Sequence, residues 1–263
     1  MLGKLIKYEF KATYRLFLPT YLGTILFAIL AKLFTSINSL ATFAGGAFMG
    51  VIIAIYVIII LMSLVLTLVL IIQRFYKNLT KDEGYLSHTL PVGVDSHIWG
   101  KLIPAVVWNI ATTVVVVASI LIATGSKEVF DGIAYVWQWF TEFFAAYVQM
   151  PLWLFILELC IIVLISTASS IVNFYSAIAI GHLFTKRRVL MSIVAYFGMA
   201  FIVSMISSGI TGGIWTDLDY TLTNITGSTV TIALAIYALY EVVLAAIYYF
   251  ITRYIFSRRL NLE

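Results

Sequence analysis

From Leu33 to Gln73 the chain runs for 41 residues without an Asp, Glu, Lys or Arg. A helix needs only about 20 apolar residues to cross the hydrocarbon core of a bilayer, so this run is long enough for two crossings. Lipid offers no hydrogen bonds to an open backbone, and the run is too long for a single barrel strand, so helices are the physical choice. Composition agrees. At 62% hydrophobic and 11% charged residues, there is too little charge to cover a water-facing surface, which excludes a soluble globular fold.

The expected fold is an all-α membrane protein in which residues 1–263 form one transmembrane domain. Six hydrophobic runs define six spans: Leu16 to Ile37, Ala47 to Ile72, Leu102 to Ala123, Pro151 to Ile180, Val189 to Gly209 and Thr229 to Ile251. Ahead of the first, Leu2, Leu5, Ile6 and Phe10 recur at helical spacing with Lys4, Lys7 and Lys11 between them. Residues 1–15 therefore read as an amphipathic interface helix at headgroup level. The first apolar run resembles a signal peptide, with Ser39-Leu40-Ala41 as a weak cleavage-like site, but the amphipathic lead-in favours a retained helix.

Sixteen Lys and Arg against twelve Asp and Glu give a net charge of +4. In a soluble protein that excess would raise the question of nucleic acid; here it is read as topology, and no nucleic-acid partner is expected. Lys and Arg are retained on the cytoplasmic side of short loops. Lys4, Lys7, Lys11 and Arg15 precede the first span, and Arg74, Lys77, Lys81 and Lys101 flank the second connection. Lys186, Arg187, Arg188, Arg253, Arg258 and Arg259 bring that side to fourteen, against Lys127 alone in an opposite loop. Lys32 falls near the outer edge, within reach of the interface by snorkelling. Both termini are expected to face the cytoplasm.

Between the third and fourth spans, residues 124–150 read as an outer amphipathic segment. Phe130, Ile133, Trp137, Phe140, Phe144 and Tyr147 recur at three and four residues, opposite Glu128, Asp131, Gln138 and Glu142. The fourth span has apolar sequence to spare, and the charge rule favours one crossing that extends inward, with Thr167, Ser169 and Ser170 marking a bend. Ile210 to Ser228 reads as an outer loop, with a glycosylation-like Asn224-Ile225-Thr226.

Catalytic and metal signatures do not occur in the sequence. There is no Gly-x4-Gly-Lys-Ser/Thr loop, no His-Glu-x2-His pair and no Gly-x-Ser-x-Gly elbow. His88, His97 and His182 are not spaced as a metal cluster, and the single Cys160 supports neither a disulfide framework nor a thiolate site. No metal site and no enzymatic activity of this chain are expected. Two carboxylates stand out because Glu158 and Glu241 fall inside apolar spans, where a charge is costly unless paired, hydrated or neutralised. Glu158 is a candidate partner for Lys32. Glu241 lies among Tyr237, Tyr240, Tyr248 and Tyr249. A polar substrate path, a hydrogen bond accepted within the helix bundle and a protonated structural role all explain it.

The richest polar segment is the inner hairpin, residues 73–100. A short helix from Lys81 to His88, ended before Pro91, would present both signs of charge with Tyr85 and Leu86 as apolar anchors. Its run Asp82-Glu83-Gly84-Tyr85-Leu86, then Thr89-Leu90-Pro91-Val92 and Gly100-Lys101, resembles the permease subunits of ABC-2 type ATP-binding cassette transporters. The basic start and six spans with both ends inside are similar to that family too. The long outer segment departs from permeases whose main outer element follows the fifth span.

The resemblance implies a coupling helix on Thr80, Lys81, Asp82, Glu83, Gly84, Tyr85, Leu86 and His88 that seats on a separate ATP-binding subunit. ATP and Mg would reside on that ATPase, and this chain would bind no cofactor. It further implies a multi-pass exporter subunit of a bacterial plasma membrane, paired with a second permease subunit, identical or different. Two other readings stay open: a secondary transporter using Glu158 or Glu241, and a membrane scaffold or sensor whose hairpin recruits a cytoplasmic partner.

Overall fold

A computed structural model describes residues 2–36, 43–80, 93–148, 150–184, 187–221 and 227–258. Among these the regular elements are all helical: α1 Leu2–Thr35, α2 Phe43–Thr80, α3 Val94–Thr124, α4 Lys127–Phe143, α5 Leu152–Gly181, α6 Arg188–Thr221 and α7 Gly227–Arg258. All but α4 are long and apolar enough to cross a membrane, giving six candidate spans among the described residues. Their outward side chains suit lipid. Leu22, Phe197, Phe201 and Phe250 are each more than 60% exposed, an arrangement that water would penalise.

Several boundaries differ from the sequence expectation, each because helical hydrogen bonding continues where the apolar pattern stops. The basic lead-in and the first span form one helix of 34 residues, about 51 Å long and longer than the roughly 30 Å hydrocarbon core. α2 runs on to Thr80 and α3 begins at Val94, so both flanks of segment 81–92 are helical. α5 is a single 30-residue helix. Thr167 bonds back to the Val163 carbonyl without interrupting it. α6 continues to Thr221, through most of the stretch expected to be a loop. The segment 81–92, including Lys81 to His88, lies outside the described residues, as do Asn224 to Thr226.

The chain divides into two compact units, Met1–Arg74 with Trp99–Tyr135, and Phe75–Ile98 with Val136–Glu263. In the first, helices α1, α2 and α3 are joined by hydroxyl groups as well as by aromatic and apolar packing. The Thr112 hydroxyl lies 2.9 Å from both the Tyr21 and Thr67 hydroxyls, so one residue of α3 meets α1 and α2 together. The Trp108 indole donates to Thr13 at 2.8 Å and stacks on Phe17 at 4.6 Å. Farther along, Ala28, Ala31 and Tyr56 form a buried cluster, and the Tyr56 and Ser119 hydroxyls lie 3.0 Å apart. Small and hydroxylated residues at such contacts are what lipid-embedded helices require, because lipid does not drive apolar faces together.

α3 carries Pro104, fully buried, one turn after Gly100. A proline has no N–H to give to the carbonyl four residues back. Gly100 is itself close-packed, since a Cβ there would lie 3.3 Å from Leu5.

In the second unit α5 is the central element, packed against both α6 and α7. Its N-terminal end meets a short π-helical turn, Phe144–Val148, through the stack of Phe140, Phe144 and Phe155. Phe144, Val148 and Met150 are buried there against Val230 of α7. At its C-terminal end Gly181 admits the start of α6: a Cβ would stand 2.7 Å from the Ser192 amide nitrogen and 2.8 Å from the Arg188 carbonyl oxygen. α4 buries none of its own residues, leaving Trp137, Trp139 and Tyr135 exposed. An aromatic face of this kind suits a membrane–water interface.

Candidate functional site

The residues that flank segment 81–92 on either side pack within the second unit. On the α2 side, Phe75 is wholly buried, stacked on Tyr175 of α5 with centroids 3.7 Å apart and edge-on to Phe256 of α7 at 5.6 Å. The next residue, Tyr76, lies against His182 just beyond α5, at 5.3 Å. On the α3 side, Asp95 accepts a hydrogen bond from the Tyr249 hydroxyl at 2.6 Å and pairs with Arg253 at 3.0 Å, both on α7. The end of α2 and the start of α3 thus both meet α7. Of the candidate coupling residues, Thr80 closes α2, and Lys81, Asp82, Glu83, Gly84, Tyr85, Leu86 and His88 lie outside the described residues.

His182 is buried at this root, and its Nε2 has no hydrogen-bond partner among the described residues. Burial pushes its imidazole down to about 4, and the nearby Arg188 cation acts in the same direction. Both favour the neutral ring.

Of the intramembrane candidates, Glu158 lines a pocket of about 180 Å³ between α5 and α7. Ile161 and Ile162 on α5, and Thr231, Leu234, Ala235 and Ala238 on α7, form its walls. The Glu158 Oε2 atom is buried without a hydrogen-bond partner among the described residues. Thr231 donates to the Met150 sulfur at 3.5 Å, so its oxygen still has acceptor capacity. Glu241 is a different case. It accepts a hydrogen bond from Tyr237, one turn earlier on α7, at 3.2 Å. Tyr240 instead reaches across to Ser207 of α6 at 2.5 Å.

Lys32 belongs to the first unit, where its ammonium donates to the Gly125 carbonyl; Glu158 belongs to the second. Among the described residues no group of three or more His, Cys, Asp or Glu is arranged to hold a metal ion.

Sequence reasoning passed over Glu9. Its Oε1 lies 2.7 Å from Arg74 Nε and its Oε2 3.5 Å from Lys101 Nζ, joining the ends of α1, α2 and α3. A signal was present: Glu9 is the sole acidic residue before Asp82, set in a basic segment that offers every reason for a further cation. Compared with family models, with curated proteins and with solved structures, the chain matches none.

Proposed function

We propose that the chain is the membrane-spanning permease subunit of an ATP-driven exporter, paired with a second permease copy or homologue and powered by a separate ABC-type ATPase. The observation that carries this reading is the double rooting of the inner hairpin on α7, through Phe75 and Phe256 on one side and Asp95, Tyr249 and Arg253 on the other. A hairpin that only recruited a partner would not need both of its roots fastened to spanning helices. One that transmits displacement does. The lopsided distribution of Lys and Arg supports placing the hairpin and both termini in the cytoplasm.

On this reading Thr80 to His88 seats on the ATPase, with Glu83 and Leu86 providing charge and an apolar anchor. When ATP, with Mg, closes the paired ATPases, the hairpin moves. The stacked Phe75 and the Asp95 pairs carry that motion into α5 and α7. Nucleotide shifts the span bundle only by the difference in its affinity for the two states.

The test is co-purification with an ATP-binding cassette ATPase encoded beside this chain. Glu83→Arg with Leu86→Arg should abolish the complex, whereas Phe75→Ala should leave it assembled and remove the nucleotide-dependent change in the spans. An ATPase that never co-purifies overturns the reading. A stable complex that ignores nucleotide would identify a scaffold instead. The unpartnered Glu158 oxygen favours a second reading, a secondary transporter; substrate flux in liposomes driven by a pH gradient without ATP would select it.

A further inference from the structure

We infer that the outward face of α1 is a binding surface for anionic phospholipids of the leaflet that holds its N-terminal half. The inference stands on the first unit and does not require ATP-driven export. At about 100° per residue, Lys4, Lys7, Lys11 and Arg15 fall within an arc of about 80°, and Leu18 and Leu22 continue the same arc farther along the helix. All six are exposed. The buried residues of α1, which are Thr13, Phe17, Thr24, Ala28 and Ala31, all lie about 120° or more round from Lys4. One face of the helix is thus packed against protein, and the other is cationic for about three turns and then apolar.

Within the unit these cations find no counter-charge. Glu9, the sole acidic residue before Asp82, lies about 140° round from Lys4, where Arg74 and Lys101 engage both of its oxygens. Among the described residues none of the three lysines has an ion-pair or hydrogen-bond partner, and the Arg15 guanidinium donates to the exposed Tyr14 hydroxyl at 3.2 Å. Cations followed by hydrocarbon are the complement of an anionic lipid, whose phosphate is followed by acyl chains. An acidic soluble protein would match the first half of the stripe and leave Leu18 and Leu22 uncovered. Depth agrees. With Lys32 set at the outer edge of the hydrocarbon, the rise along α1 to Lys11, Lys7 and Lys4 is about 32, 38 and 42 Å. A tilt of about 20° makes these about 30, 35 and 39 Å along the membrane normal. The hydrocarbon is about 30 Å thick and the headgroup layer extends roughly 5–8 Å beyond it, so all three ammonium groups reach phosphate on their flexible stems.

The test offers the full chain, in neutral detergent micelles, equimolar phosphatidylglycerol and phosphatidylcholine with identical acyl chains, and counts the bound lipids by native mass spectrometry. Each cation near anionic headgroups adds roughly fivefold in affinity, so phosphatidylglycerol should be retained over phosphatidylcholine by about twenty- to a hundredfold. Lys4→Gln with Lys7→Gln and Lys11→Gln should bring that ratio to within about fivefold, the share left to Arg15; the same three changes to Arg should preserve it. Arg187→Gln with Arg258→Gln neutralises two exposed cations of the second unit and should leave the ratio within about twofold of the parent, because neither belongs to the stripe. Cations ahead of a span also direct insertion, so the loss is sought a second way, by acetylating the lysines of the folded, purified protein, which neutralises them after insertion. Equal retention of the two lipids by the unaltered protein overturns the inference, as does a preference that survives either the Gln changes or acetylation. A preference reduced as far by Arg187→Gln with Arg258→Gln would be an effect of net charge alone and overturns it too. Equal retention together with binding of soluble polyglutamate would assign the stripe to an acidic protein instead.

Discussion

Replacing Glu9 with Gln should weaken the first unit more than an ordinary surface substitution would. The carboxylate lies 2.7 Å from Arg74 Nε and 3.5 Å from Lys101 Nζ. At an effective dielectric of about 20 these distances correspond to gross attractions of roughly 6 and 5 kcal/mol. Desolvation and side-chain ordering offset most of that. Exposed pairs contribute about 0.2–1 kcal/mol, whereas breaking a buried pair costs about 3–5. The side chains here are 14%, 25% and 11% exposed for Glu9, Arg74 and Lys101, nearer the buried end, and the substitution leaves two cations sharing less counter-charge. A loss of about 2–3 kcal/mol is expected.

Reversible unfolding in mixed micelles, or steric trapping in bicelles, measures it directly. A cycle with Arg74→Gln isolates the pair, and a coupling of about 1–2 kcal/mol is expected. The response to salt should be small, because partly buried pairs are weakly screened. A Glu9→Gln protein within about 0.5 kcal/mol of the parent, or a coupling of zero, would refute the view that this carboxylate fastens three helices.

Gly181→Ala should lower the unfolding midpoint, with a cost of about 1–3 kcal/mol, because the added methyl meets the backbone of Arg188 and Ser192, which has little freedom to yield; an unchanged midpoint would show that the α5–α6 junction relaxes freely. Thr112→Val removes the hydroxyl shared by Tyr21 and Thr67 and should cost about 0.6–1.7 kcal/mol in the same unfolding assay, the range for interhelical hydrogen bonds in lipid. A loss no larger than that of Thr113→Val, whose hydroxyl donates to the Asn109 carbonyl of its own helix, would count against the node. His182 should stay neutral at pH 5 when followed by NMR, since its pKa is depressed to about 4 from 6.5. For a base depressed in the folded state, the associated stability is complete above 6.5, falls as pH drops from 6.5 towards 4, and changes no further below. Titration near 6.5 would contradict the burial argument.

The spans were legible because the property that defines them is local: a charge-free run long enough to cross lipid announces itself without reference to the rest of the chain. Helix ends were less so. α6 passes through Gly212 and Gly213 to Thr221, where glycine and threonine counted as loop signals; continuation of backbone hydrogen bonding overrode those weak preferences. Long-range pairings were not legible at all. Phe75 and Tyr175 lie 100 residues apart in sequence, with all of α3 and α4 between them, and nothing in either neighbourhood distinguishes a stacked ring from one facing lipid. The intramembrane carboxylates fall between these cases. Their cost could be read from sequence, but whether each was satisfied could not: Glu241 has Tyr237 beside it, whereas Glu158 faces a cavity.

The buried proline of α3 has a mechanical consequence. With no amide hydrogen at position 104, the carbonyl of Gly100, in the second turn of α3, loses its usual bond. A rod with one missing rung bends most easily at the gap. Any bending of α3 would be taken up first between these two residues, sparing the hydroxyl contacts of Thr112 and Ser119 farther along.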